Sequence, residues 1–125
     1  MNYSEILMIV GRLIFGGYFI YNGIQHFTGL SGLTGYAASK NVPLPKVAVI
    51  LTGLMLFFGG VGIVLWWYVD LALLLLAIFM LVVTLTMHRF WSETDASAKS
   101  NAMMGFYKNA AIFGALLLLL GAIIS

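Results

Sequence analysis

A chain of 125 residues that is 62% hydrophobic and only 8% charged lies far from soluble domains, where charged residues make up about a quarter. It reads as a single integral membrane domain over residues 1–125. Six basic and four acidic side chains are too few for a nucleic-acid surface, and the absence of cysteine removes disulfides, iron–sulfur clusters, thiolate nucleophiles and cysteine-ligated zinc.

A hydrocarbon core of about 30 Å takes about 20 apolar residues in a helix. The first such run is about Ile6–Gln25. The preceding MNYSE has no basic stretch and no small-residue cleavage site follows, so the run is expected to be a retained membrane helix and not a cleaved signal peptide. Arg12 falls about two turns inside it, and Asn22, Gln25 and His26 fall at its end. The stretch HFTGLSGLTGYAASKNVPLP carries several glycines and two prolines and is expected to be a loop. The second run, about Val47–Trp67, and the third, about Val69–Met87, are joined by a very tight turn within WWYVD. HRFWSETDASAKSNAMMG then reads as a polar connection, and the fourth run is about Phe106–Ile124. Continuous apolar runs of this length indicate helices and not barrel strands. The expected fold is an all-α, four-helix membrane bundle built from two helical hairpins.

With four spans, both termini share one side with the short turn, and the two long connections share the other. Lys40, Lys46, Arg89, Lys99 and Lys108 lie toward the long connections, against Arg12 alone on the opposite side. The positive-inside rule therefore places the long loops in the cytoplasm and both termini outside. Trp66, Trp67 and Tyr68 mark one membrane interface, and Phe90, Trp91, Phe106 and Tyr107 mark the other. Glycines crowd the spans, as in FGGYF and FFGGVG. Helices in lipid associate by close packing, which small residues permit. A short echo, GIQHF closing the first span and TMHRF closing the third, is what a duplicated hairpin would leave.

Ionisable groups inside spans are costly and usually pair. Arg12 and Asp70 are expected to form an ion pair between the first and third spans; the competing reading has Arg12 reaching the interface and Asp70 capping a helix start. At 100° per residue, His26 falls within about 40° of the Arg12 stripe, while Asp70 and His88 share one face of the third span. That register gathers a candidate pocket of Asn22, Gln25, His26, Thr84, His88, Arg89 and Trp91, approached by Lys108 and Asn109. Histidine, amide and flat aromatic groups at an interface suit a quinone headgroup. A bis-histidine haem is disfavoured, because the helical rise leaves the two histidines about 6 Å out of level. The third reading is an anchor with no ligand. No metal site is expected, and the scattered acids form no hydrolytic constellation.

The segments GRLIFGGYFIYNGIQHF, ASKNVPLP, HRFW and FYKNAAIFGALLLL, in that order across nearly the whole chain, resemble the DoxX family of small four-helix membrane proteins. The resemblance implies a bacterial inner-membrane protein akin to the small subunit of thiosulfate:quinone oxidoreductases. It points to Arg12, His88, Arg89, Trp91, Lys108 and Asn109. Many relatives have lysine after the first helix, where this chain has His26. The expected role is a small subunit or anchor of a membrane redox assembly, in contact with lipids and with other membrane subunits or copies of itself. The alternative is a structural accessory subunit without ligand or activity.

Overall fold

The computed structural model describes residues 1–125, which fold as α1 (Tyr3–Thr28), α2 (Leu30–Ser39), α3 (Pro45–Leu65), α4 (Val69–Met87), a 3-10 turn at Phe90–Ser92, and α5 (Ala96–Ile124). There are no strands. Four helices are long and apolar enough to cross a membrane: α1, α3, α4 with its following turn, and α5.

The helix starts follow from local chemistry. Asn2 accepts the Glu5 N–H at 2.8 Å while the Glu5 carboxylate accepts the Asn2 N–H at 3.3 Å, a reciprocal cap that satisfies two of α1's orphan donors. Pro45 occupies the first turn of α3, where its missing N–H costs nothing. Asp95 accepts the Ala98 N–H at 2.9 Å and opens α5. This last cap explains one departure from the sequence expectation: α5 begins at Ala96, so Ala96–Gly105 is helix and not loop. A second departure is α2. Glycines and serines suggested a loop, yet Leu30–Ser39 is helical and packs on α3 with Ala37 buried. The helix breaks at Gly29 and again beyond Ser39, where Asn41 and Leu44 take left-handed backbone before Pro45.

α1 runs antiparallel to α3 along a glycine seam. A Cβ at Gly16 would stand 2.8 Å from the Gly60 carbonyl oxygen, and one at Gly23 would stand 2.7 Å from the Phe57 nitrogen. The two backbones can approach this closely only without side chains there. α3 then packs on α4, with Gly59 lying over Leu76 and Gly62 over Ala72. The turn between them is tight enough to force Trp66 and Tyr68 into the left-handed region, with φ of 55° and 49°. α4 packs on α5. Not every glycine serves the bundle: Gly17 on α1 and Gly114 and Gly121 on α5 meet nothing within 4 Å.

The core is a belt of Phe19, Leu56, Ile63, Leu73, Leu76, Ala77, Met80 and Leu116. Outward faces carry Leu7, Ile14, Leu51, Leu71 and Leu118 in exposed positions. Such an apolar exterior is the surface that lipid, and not water, solvates. α1 and α5 both pack inward but lack close backbone packing on one another, which leaves a seam between them.

Candidate functional site

The polar residues of the spans gather at the long-loop end of that seam. His26, in the last turn of α1, places Nδ1 2.9 Å from the Val49 carbonyl oxygen of α3. Thr52 Oγ1 lies 3.2 Å from the same nitrogen and gives its own proton to the Ala48 carbonyl at 2.7 Å. The imidazole is thus tied to α3 by one nitrogen. One turn earlier, Asn22 donates through Nδ2 to the Tyr18 carbonyl at 2.7 Å.

Facing these from α5 are Lys108 and Asn109. Asn109 is only 6% exposed, and its side-chain amide has no hydrogen-bond partner in the protein. His88 stands just past the end of α4, its ring packed against Gly105 of α5. A Cβ on Gly105 would fall 2.8 Å from its Cε1, so any larger residue there would displace the ring. Together these side chains line a cavity of about 180 Å³ whose remaining walls include Phe19, Leu56, Phe79 and Met80. The arrangement pairs a few polar groups with a flat apolar lining, the usual make-up of a small-molecule site.

Of the residues expected from the sequence, Asn22, His26, His88, Lys108 and Asn109 converge here. Four do not line the cavity. Gln25 donates to the Tyr21 hydroxyl of its own helix at 3.0 Å. Thr84 is buried one turn before His88, its hydroxyl without a partner. Arg89 has a buried Nε that likewise lacks a partner. Trp91 is 55% exposed and sits edge-on to Phe90 and Phe106, as an interfacial aromatic does.

The expected Arg12–Asp70 ion pair does not form. Arg12 donates through Nε and Nη2 to the Val64 carbonyl, at 3.2 and 2.9 Å, and its guanidinium lies 5.6 Å from the centre of the Trp66 ring. The Asp70 carboxylate accepts the N–H of its neighbour Leu71 at 2.9 Å. The physical reason is helix ends. The free carbonyls closing α3 attract a cation, and the first N–H groups of α4 attract an acid, so each charge is satisfied locally. The chain's salt bridge is instead Lys40–Glu93, at 2.6 Å, joining the end of α2 to the segment beyond the 3-10 turn.

Tyr18, Phe19, Leu56, Phe79, Met80 and Val83 were missed as cavity walls. Tyr18 could have been found, since Tyr18, Asn22 and His26 recur every four residues along one helical stripe.

Comparison with known proteins agrees with this architecture. The DoxX family model matches residues 7–89, from α1 through the end of α4, so that Asn22, His26 and His88 lie inside the match and Lys108 and Asn109 beyond it. The chain is 30% identical over 114 residues to the inner membrane protein YphA of Escherichia coli (strain K12), covering 91% of this chain and 81% of that one. No solved structure matches. A family match over most of the chain, a relative that aligns almost end to end and four apolar helices lead to one conclusion: this protein belongs to the DoxX family.

Proposed function

We propose that this protein is a small inner-membrane subunit or anchor of a redox assembly, and that its cavity holds the ring of a membrane quinone. The observation that carries this reading is Asn109. Its side-chain amide has no hydrogen-bond partner in the protein and lines a cavity beside Lys108 and two imidazoles. A ligand oxygen would satisfy it. The size is right for one substituted ring, since a cavity of about 150 Å³ takes up benzene. An isoprenoid tail would leave through the seam between α1 and α5 into lipid. The inner-membrane location follows the name of its Escherichia coli relative. With no cysteine in the chain, thiolate chemistry on a sulfur compound would belong to a partner subunit. This chain contributes position and hydrogen bonds.

The competing role is a structural accessory subunit with no ligand. What favours it is the outward placement of Gly114 and Gly121 on α5, where another helix could approach closely.

Lipid extraction separates the two. Protein purified gently from its native membrane should carry close to one quinone per chain, and Asn109→Leu should retain less than a fifth of it while melting at a similar temperature. Wild-type protein free of quinone would rule out the ligand reading.

A further inference from the structure

The α1 wall of the cavity holds a fixed hydrogen-bond acceptor, and the α5 wall a fixed donor. On the α1 wall, the Val49 carbonyl has no proton to give, so the bond at 2.9 Å requires the hydrogen to sit on His26 Nδ1. Thr52 agrees with this, because its hydroxyl already donates to Ala48 and can only accept from the ring. The neutral imidazole then keeps a bare lone pair on Nε2. Asn22 commits one N–H of Nδ2 to the Tyr18 carbonyl. On this wall His26 Nε2 is an acceptor only, while Asn22 still offers its second N–H as well as Oδ1. On the α5 wall, the Lys108 ammonium is a donor only, and the amide of Asn109 is unused. Tyr18 and His88 can donate or accept and favour neither sign. No acid lines the cavity, and nearby Glu93 is held by Lys40.

Building on the quinone-site reading, we infer that the cavity recognises the reduced ring, the quinol, in preference to the quinone. A quinol hydroxyl donates to His26 Nε2 or Asn22 Oδ1, and the oxygen across the ring accepts from Lys108 and Asn109. A quinone carries carbonyl acceptors at both ends. It has no proton for His26 Nε2, so that lone pair stays without a partner when the quinone is bound. The asymmetry also orients the ring across the seam, with one oxygen toward each helix.

The test compares decylubiquinol and decylubiquinone binding to the protein in lipid nanodiscs, without oxygen, by calorimetry. The quinol should bind at least tenfold more tightly. His26→Asn keeps an amide donor for Val49 but has nothing at the Nε2 position, so the preference should fall below threefold. His26→Gln places an amide oxygen near the Nε2 position and should keep most of it. Quinone bound as tightly as quinol would overturn the inference while leaving the ring site in place. A preference that survives His26→Asn would overturn the part assigned to His26. Binding of neither probe would overturn the ring-site reading and this inference together.

Discussion

Arg12 carries a full charge into the bundle and meets a carbonyl there. The Val64 oxygen belongs to the last turn of α3, where carbonyls have no partner further along the helix and the helix dipole is negative. Two N–H groups of one guanidinium reach that oxygen, and the Trp66 indole covers the cation at 5.6 Å. Hydrogen bonds to a charged group are worth about 1.5–3 kcal/mol when lost. Arg12→Met is therefore expected to destabilise the bundle by about 2 kcal/mol in a detergent unfolding titration. Arg12→Lys should recover part of this, because an ammonium can satisfy the carbonyl but lacks the planar fork. Asp70→Asn should change stability by less than about 0.5 kcal/mol, the scale of one exposed helix-terminus charge. Large and similar losses from Asp70→Asn and Arg12→Met, with no recovery by Arg12→Lys, would restore the ion pair and refute the capping role. That Arg12 and Asp70 enter the membrane on one side was legible in the residue order. Their partners were not, because the carbonyls and N–H groups that hold them belong to the backbone, which no side-chain pattern reveals.

Glycines sort the helices into those that must touch and those that need not. At Gly23 an added methyl would meet the backbone of α3 at Phe57, with no flexible side chain to give way. Gly17, six residues earlier on α1, faces open space. Gly23→Ala should therefore push α1 from α3 and cost about 1–3 kcal/mol, the usual penalty of overpacking. Gly17→Ala should be neutral or stabilise by up to about 1 kcal/mol, because alanine is the better helix former. Thermal melting of the two variants side by side checks this, and equal melting temperatures would show that the seam yields easily. The glycine-rich spans announced close packing, but the sequence could not say which glycines faced inward. Helix α2 was hidden for a related reason. Its glycines weaken a helix in isolation, and the packing of Ala37 against α3 offsets that propensity. The α5 start was open to reading: Asp95 is an N-cap residue and Ala96–Ala98 are compatible with a first turn.

At the scale of the whole molecule, the fold places every loop-side cation but Lys46 near the cavity or its neighbouring loops. Lys40 is bound to Glu93, Arg89 follows His88, Lys108 lines the cavity and Lys99 lies on the extended start of α5. The converging set Asn22, His26, His88, Lys108 and Asn109 could be picked out from the sequence because spans of known length put their ends at one level. The walls between them depended on side-chain packing and could not. The opposite face has Arg12, whose charge is turned inward to Val64, and the aromatic turn at Trp66–Tyr68. Short loops rich in Lys and Arg are retained on the cytoplasmic side, so the cavity mouth should open toward the cytoplasm and both termini toward the outside. The lack of native cysteine makes this directly testable. Ser97→Cys, in the first turn of α5, should react with a membrane-impermeant maleimide only after the inner membrane is opened, whereas Ser125→Cys should react in intact spheroplasts. The reverse pattern would invert the topology and put the cavity on the outer face, where a redox partner would have to dock from the other side of the membrane.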